Sequence, residues 1–209
     1  MTVVKNSVFE QGIRQHFGEE QLTRIRSIRV GIAGAGGLGS NCAVSLVRSG
    51  FNKLLLCDFD RVEPSNLNRQ FYFADQIGIL KVKALAENLR RINPALHPSL
   101  FTEKITHENV NDVFASCDVV VEAFDRADAK KMLIEALYGS GKLLVAASGL
   151  AGWGDFDRMR VRKINDLFYL VGDQETEAGR CCPPCAPRVN IAAAKEADIV
   201  LNWALSRQI

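Results

Sequence analysis

The chain of 209 residues has no long uninterrupted apolar run, and no segment approaches the roughly 20 apolar residues that a membrane-spanning helix needs. Residues 1–6 contain no apolar core, which predicts that there is no signal peptide. Neither sign of charge is in excess, because 26 basic and 24 acidic residues leave a formal net charge of +2. Bulk electrostatics therefore does not favour nucleic acid or a membrane surface as a partner. These absences predict a cytoplasmic protein that binds neither.

The sequence also lacks internal repeats, low-complexity tracts and linker-like segments. Hydrophobic residues make up 47% of the chain and charged residues 24%, as is ordinary for a globular protein. The length suffices for one well-packed core. We therefore expect residues 1–209 to form a single domain.

Strand-like and helix-like segments alternate between residues 29 and 147, which predicts a doubly wound, mostly parallel α/β sheet of the Rossmann type. Strands are predicted at residues 30–33, 53–58, 97–102, 118–122 and 142–147. Helices are predicted at residues 38–49, 78–92, 106–115 and 126–140. The pattern then predicts antiparallel strands that extend the sheet, at residues 157–163 and 167–171. One or two N-terminal helices within residues 6–27 and a closing helix at residues 188–207 complete the expected fold.

A glycine cluster, Gly34-Ala35-Gly36-Gly37-Leu38-Gly39, separates the first predicted strand from its helix. In such a unit the first glycine allows a tight turn, the second lets a phosphate approach the backbone, and the last lets the helix pack close to its strand. The helix N-terminus offers free N–H groups to an anion. The cluster predicts a nucleotide site but does not distinguish NAD, FAD and ATP, and a purely structural turn is the alternative.

An acid and two cations follow the glycine cluster. Asp58 ends the second predicted strand, where nucleotide-binding βαβ units carry a ligand for a ribose hydroxyl. A long polar loop, residues 59–77, contains Arg69, whose planar guanidinium suits a phosphate. Lys81 follows 12 residues later as a compact second cation. Two cations near a glycine loop favour a triphosphate over a dinucleotide; the alternative is that both are solvated surface charges.

Asp125 follows the fourth predicted strand at the same edge of the sheet. A carboxylate there could hold Mg²⁺ against phosphates. It could also cap the N-terminus of the helix predicted at residues 126–140.

These features together resemble the ThiF/MoeB/HesA family, the bacterial relatives of ubiquitin-activating enzymes. The resemblance runs in order from about residue 14 to residue 205 and is carried by Gly34 to Ser40, Asp58-Phe59-Asp60, Ser65-Asn66-Leu67-Asn68-Arg69-Gln70, Ile77-Gly78, Lys81, Arg91-Ile92-Asn93-Pro94 and Asp125. The short length and the closing Ala186-Pro187-Arg188-Val189 helix are similar to the divergent ThiF-like branch of thiamine biosynthesis.

The resemblance implies an adenylyltransferase that uses ATP and Mg²⁺. Its substrate would be the C-terminal glycine carboxylate of a small ubiquitin-like, ThiS-like sulfur carrier ending in Gly-Gly, with a sulfur-donor protein as a possible partner. The implied nucleotide ligands are Gly34, Gly36, Gly37, Gly39, Asp58, Asp60 and Asn66. Arg69 and Lys81 would neutralise the phosphates, and Asp125 would position Mg²⁺.

Arg14-Gln15 resembles the N-terminal Arg-Gln of the family, whose arginine reaches into the ATP site of the neighbouring subunit. The resemblance therefore implies a homodimer with shared sites. The alternative is an ordinary arginine on a helix surface.

The cysteines depart from the family, many of whose members bind zinc with two Cys-x-x-Cys pairs. Only Cys182 and Cys185 have that spacing, and no histidine is suitably spaced, so one chain cannot complete a tetrahedral site and we expect no zinc unless a dimer shares ligands. Cys181 is the nearest match to the family's sulfur-handling cysteine, and Arg180 beside it would favour the thiolate. Incidental exposed cysteines are the alternative, whereas Cys42, Cys57 and Cys117 are expected to be reduced core residues.

Three other functions remain possible from the residues. A related branch of the family activates a carboxylate on a modified tRNA base, although the balanced charge of this chain does not favour it. An NAD-dependent oxidoreductase would explain the glycine loop and Asp58 but would leave Arg69 and Lys81 without a role. A non-catalytic scaffold that binds nucleotide or a carrier would leave a complete set of site residues unused.

Overall fold

The computed structural model describes residues 8–207. The prediction about a signal peptide and the first residues of the predicted N-terminal helices lie outside the described residues. The strands are β1 (Arg29–Ala33), β2 (Lys53–Cys57), β3 (Ser99–Phe101), β4 (Val119–Glu122), β5 (Leu143–Ala147), β6 (Arg160–Asn165) and β7 (Phe168–Gly172). The α-helices are α1 (Val8–Arg14), α2 (Glu19–Ser27), α3 (Gly37–Arg48), α4 (Lys81–Ile92), α5 (Val110–Val113), α6 (Ala127–Leu137) and α7 (Ala186–Ser206).

The described strands form one seven-stranded sheet in the order β3-β2-β1-β4-β5-β7-β6. The chain moves outward from β1 through β2 to β3, and then returns to the other side of β1 at β4. All neighbouring pairs are parallel except β6 with β7. The predicted doubly wound α/β fold is therefore confirmed.

The sheet is buried on both faces, because alternate strand residues enter two hydrophobic clusters. In β4, Val119 and Val121 face one cluster, which is covered by α3, α4 and α7. Val120 faces the other cluster, which is covered by α5 and α6. Strands covered on both faces are expected to be continuously apolar, as residues 54–57 of β2 and residues 119–121 of β4 are.

The two strands predicted to extend the sheet as antiparallel strands are present, but only one of them is antiparallel to the rest of the sheet. The β6–β7 pair is antiparallel, but β7 runs parallel to β5. The segment after β5 first forms the exposed outer strand β6, and β7 then returns between β6 and β5. A hairpin has to be antiparallel internally, but the sequence does not indicate which of its strands joins the sheet.

Three predicted helices are shorter in the structure, among them the one predicted over residues 126–140, which is α6 (Ala127–Leu137). The helix predicted from residue 78 begins at Lys81, since Gly78 has a positive φ of 87° and the backbone of Leu80 is not helical, with a ψ of 130°. The one predicted over residues 106–115 is the single turn of α5. None of the helices in residues 8–207 is both long enough and apolar enough to span a membrane. The cytoplasmic location stays a prediction.

Candidate nucleotide-binding site

A cleft of about 980 Å³ opens at the carboxyl ends of the parallel strands. It lies where the strand order reverses between β1 and β4, the position at which open α/β sheets bind ligands. Its volume is in the range of small-molecule and cofactor sites. The predicted site residues that line it are Gly34, Gly36, Gly37, Asp58, Asp60, Arg69, Lys81 and Asp125.

The glycines of the first loop have different surroundings. Gly34 has a φ of 104°, and a Cβ atom there would lie 2.7 Å from the Ala123 carbonyl oxygen. A Cβ atom at Gly39 would lie 1.8 Å from the Gly34 carbonyl oxygen, so α3 can approach the loop only without a side chain. The nearest atom to a Cβ at Gly36 would be 3.9 Å away, on Gln70. Gly34 and Gly39 thus close the turn, whereas Gly36 leaves open space in the cleft.

Asp58 holds two backbone segments together beneath the cleft. Its carboxylate accepts hydrogen bonds from the backbone N–H of Ala35 at 2.7 Å and of Asp60 at 2.8 Å. Burial raises the pKa of Asp58, while Lys81 and these two N–H groups act in the opposite direction. Each carboxylate oxygen retains a second lone pair, so the group can still accept a hydrogen bond from a ligand hydroxyl.

The long loop after β2 is fastened directly to the glycine loop. The Tyr72 hydroxyl donates to the Ala35 carbonyl oxygen at 2.6 Å, and the side-chain amide of Asn41 donates to the Arg69 carbonyl oxygen at 2.9 Å. The hydroxyl of Ser40 accepts the backbone N–H of Phe71 at 3.0 Å. These contacts bring Arg69 to the cleft although it is distant in sequence from the glycines.

The two predicted cations differ in how they are held. Lys81 is the first residue of α4, has a buried side chain and forms an ion pair of 2.9 Å with the more exposed Asp60. Arg69 is half-buried and donates to the Ser65 carbonyl oxygen at 3.1 Å and to the side chain of Asn68 at 2.8 Å. The alternative of two freely solvated surface charges is wrong, because both side chains line the cleft and bind the loop.

Asp125 is exposed at the opposite wall of the cleft, and it makes no hydrogen bond to another residue in the described part of the chain. The alternative of a helix cap is wrong, since the N-cap of α6 is Arg126. A carboxylate oxygen open to the cleft suits Mg²⁺, which proteins commonly hold through one or two carboxylates and the phosphates of a substrate. Across residues 8–207, no three His, Cys, Asp or Glu side chains are grouped so as to hold a metal ion by themselves.

Other predicted residues lie outside the lining of the cleft. Gly39 acts beneath it, through the contact described above. The buried side chain of Asn66 accepts the backbone N–H of Glu63 at 3.0 Å and so caps its own turn. Arg14 ends α1 and pairs with Glu10 and Glu19, so a role for it in an ATP site requires a second copy of the chain.

The three cysteines of the segment 181–185 are not among the residues that line the cleft. Cys181 is exposed, and the sulfur of Cys182 packs against Gly152. The neighbouring residues Thr176 and Pro184 do line the cleft. The role of Cys181 in sulfur handling stays a prediction.

A buried ion pair fixes the segment that enters this region from β7. The carboxylate of Asp173 accepts hydrogen bonds from the backbone N–H groups of Glu175 and Thr176, from the Thr176 hydroxyl and from Arg188 on α7, the last at 2.5 Å. Burial alone would raise the pKa of Asp173, but the hydrogen bonds outweigh it and hold the pKa at about 2.

The fold also brings to the cleft two polar side chains that were not predicted as site residues. Lys130 lines the cleft and pairs with the buried Glu122 at 2.9 Å. Gln70 lines it too, and its buried side-chain oxygen has no hydrogen-bond partner within residues 8–207. The one available signal was an acid at the end of the apolar β4 sequence with a lysine eight residues later.

Comparison with known proteins places these features in a wider group. A sequence model described as "ThiF family" matches residues 10–194. The chain is 28% identical over 194 residues to adenylyltransferase and sulfurtransferase UBA4 of Kluyveromyces lactis, which covers 88% of this chain and 44% of that protein. It is 30% identical over 178 residues to tRNA threonylcarbamoyladenosine dehydratase of Escherichia coli K12, which covers 83% of this chain and 65% of that one.

The crystal structure of that E. coli dehydratase in complex with AMP has the same fold. The TM-score is 0.83 at 22% sequence identity, and the superposition covers 94% of this chain and 93% of the other. In contrast, the chain spans less than half the length of the yeast relative.

Proposed function

Because the chain belongs to the ThiF family, we propose that residues 1–209 form a single domain that uses ATP to adenylate a substrate carboxylate. The observation that carries the proposal is the single cleft described above. It combines the open space at Gly36, the acid Asp58, the cations Arg69 and Lys81, and the carboxylate of Asp125.

The chemistry of adenylation suits this set of groups. An oxygen of the substrate carboxylate attacks the α-phosphorus of ATP, the bond from that phosphorus to the bridging oxygen breaks, and pyrophosphate leaves with the electron pair. The nucleophile is already ionised, so the reaction needs in-line positioning and neutralisation of charge rather than a general base. Arg69 and Lys81 would supply positive charge from one wall, and Asp125 would hold Mg²⁺ at the other.

We propose that the substrate is the C-terminal glycine of a ubiquitin-like, ThiS-like sulfur carrier, in the formation of the thiazole of thiamine. The name of the yeast relative, which joins adenylyltransferase with sulfurtransferase, supports this substrate class. The exposed Cys181 near the cleft supports a later sulfur step with a sulfur-donor protein.

The second candidate substrate is a carboxylate on a modified tRNA base. Two observations favour it: the chain covers 65% of the E. coli dehydratase sequence, and its fold superposes on 93% of that protein's chain. The adenylation chemistry is the same in both candidates, so they differ only in the molecule that carries the carboxylate.

The proposal is tested by exchange of labelled pyrophosphate into ATP. We expect wild-type exchange to require Mg²⁺ and either a carrier ending in Gly-Gly or carboxylate-bearing tRNA, and the required substrate decides between the candidates. If neither substrate supports exchange, adenylation is contradicted. It is also contradicted if NAD raises the melting temperature and ATP with Mg²⁺ does not.

Variants of the cleft make the same test specific. Arg69→Ala and Asp125→Ala are expected to abolish exchange. Arg61→Ala and Asp75→Ala are the matched controls, because both residues are exposed and lie outside the lining of the cleft. Exchange that survives both cleft variants would refute the assignment of the site.

We further propose a homodimer in which Arg14 completes the partner's site. Arg14→Ala and Asp125→Ala proteins would each be inactive, but a heterodimer of the two would contain one intact site. Random mixing should then restore about a quarter of wild-type activity. Failure of the mixture to recover activity, with dimers present, would show that Arg14 acts within its own chain or not at all.

A further inference from the structure

The pair formed by Glu122 and Lys130 connects three parts of the cleft wall. Glu122 is the last residue of β4, and its side chain is 2% exposed. Lys130 lies in the first turns of α6 and lines the cleft. Asp125 is on the short turn between them, three residues after Glu122 and five before Lys130.

The ammonium group of Lys130 has a full set of acceptors. It donates to the two carboxylate oxygens of Glu122, at 3.1 and 2.9 Å, and to the carbonyl oxygen of Ala147 at 3.2 Å. Ala147 ends β5 and is followed by residues 148–151, which form the next wall of the cleft. A lysine has three protons to donate, so none is left for a phosphate while this network persists.

The carboxylate of Glu122 also fixes the turn that carries Asp125. It accepts the backbone N–H of Phe124 at 2.7 Å, directly before Asp125. The conformation of the turn therefore depends on the orientation of Glu122, which in turn depends on Lys130.

Stability alone is a poor explanation for this pair. Buried ion pairs replaced by well-packed apolar residues often leave stability unchanged or increase it. The pair also lies at a cleft wall, where hydrogen bonds of fixed geometry can define the position of a neighbouring ligand. Groups that orient a metal ligand in this way typically affect metal affinity by about 10- to 100-fold.

We propose that Lys130 is a positioning residue that acts through Glu122 to fix Asp125 for Mg²⁺, and through Ala147 to set the position of the adjacent wall formed by residues 148–151. The inference rests on the proposed function, because it assumes that Asp125 meets Mg²⁺ bound with ATP. It assigns Lys130 no contact with the phosphates themselves.

The test measures ATP binding by calorimetry in EDTA and again with Mg²⁺, using the full chain. Lys130→Met should bind ATP in EDTA within about twofold of wild type but lose about tenfold or more of the enhancement by Mg²⁺. Lys130→Arg, which keeps the charge and the donors, should recover most of that enhancement. Lys131→Met is the matched control, because this neighbouring lysine is 73% exposed and lies outside the cleft lining.

Glu122→Gln provides a second variant if Lys130→Met does not fold, and it should also weaken the effect of Mg²⁺. Unchanged Mg²⁺ enhancement in Lys130→Met or, where that protein does not fold, in Glu122→Gln overturns the inference. The inference is also overturned if Lys130→Met loses as much ATP affinity in EDTA as it does with Mg²⁺, because Lys130 would then be a phosphate ligand. A Lys130→Arg protein that does not recover the Mg²⁺ enhancement would overturn it as well. Wild-type protein without any Mg²⁺-enhanced ATP binding would instead refute the proposed function, and this inference with it.

Discussion

One added methyl group should lower the stability of the fold at Gly39 but lower the affinity for ATP at Gly36. At Gly39, a Cβ atom would lie 1.8 Å from the Gly34 carbonyl oxygen and 3.0 Å from the side chain of Ile32. The loop cannot simply retreat, because Gly34 is itself packed against the Ala123 carbonyl oxygen. Gly39→Ala therefore has to displace the start of α3.

The expected magnitude follows from that overlap. Overpacking of a well-packed interior costs about 1–3 kcal/mol, and a contact this short belongs at the upper end. A loss of about 3 kcal/mol corresponds to a fall in melting temperature of about 6–12 °C for a chain of this length.

Gly36→Ala is the matched comparison. The nearest atom to its Cβ would be 3.9 Å away and its φ is −79°, so its stability should stay within about 1 kcal/mol of wild type. The methyl group would, however, occupy the space into which a phosphate would approach the backbone. ATP affinity should therefore fall about tenfold or more, equivalent to about 1.4 kcal/mol.

Thermal unfolding and calorimetric ATP binding separate the two effects. Gly39→Ala should melt early, whereas Gly36→Ala should melt normally and bind ATP poorly. The reasoning is refuted if Gly39→Ala melts within about 2 °C of wild type. It is also refuted if Gly36→Ala binds ATP as tightly as wild type does.

Three further predictions concern buried ionisable groups and the cysteines. The hydrogen bonds to Asp173 lower its pKa to about 2, against 3.8 in the unfolded chain. The ionised carboxylate therefore contributes roughly 2–3 kcal/mol of stability that is present above pH 3.8 and is lost as the pH falls through 2. Asp173→Asn should lose that amount at pH 7 in urea unfolding and converge with wild type near pH 2; equal losses at both pH values would contradict this origin. Burial and the nearby Glu122 raise the pKa of Glu196, and its carboxylate has no hydrogen-bond partner within residues 8–207. The folded chain therefore holds this proton more tightly than the unfolded chain does, so wild-type stability should decline as the pH rises above 4.5. Glu196→Met should make that decline in the urea midpoint between pH 5 and pH 8 smaller, and an unchanged slope would exclude Glu196 as one of its sources. Iodoacetamide should alkylate the exposed Cys181 first and the buried Cys42 only in denaturant, since burial raises the pKa of the Cys42 thiol. Peptide mass spectrometry measures the alkylation rate of each cysteine, and comparable rates would contradict the described burial.

The predicted residues that the fold does bring to the edge of the sheet are those with a local signal in the sequence. The glycine loop lies between an apolar strand and a helix, and Asp58 ends the next apolar strand, so their places at the sheet edge followed from alternation alone. Asp125 was found in the same way, as an acid after β4. The doubly wound order followed because parallel strands joined by helices permit few other arrangements.

The pairing of residues across the loop could not be predicted in this way. Tyr72, Asn41 and Ser40 fasten the loop to the glycines, but each is an ordinary residue in its own segment. The sequence also did not indicate that Asn66 would cap its own turn while Gln70 faces the cleft. Side-chain direction in an irregular loop depends on contacts with distant segments and has no periodicity to reveal it.

Apolar periodicity and the special backbone freedom of glycine act over a few residues, so the order of amino acids is enough to specify the sheet, the glycine turn and the chemical groups at the carboxyl edge. The assembled fold sets which glycine is closed by packing and which one opens into the cleft. It also brought Glu122, Lys130 and Ala147 together around the Asp125 turn. The physical reason is that close packing and buried hydrogen bonds join residues far apart in the chain, and their geometry exists only after the strands and helices have assembled.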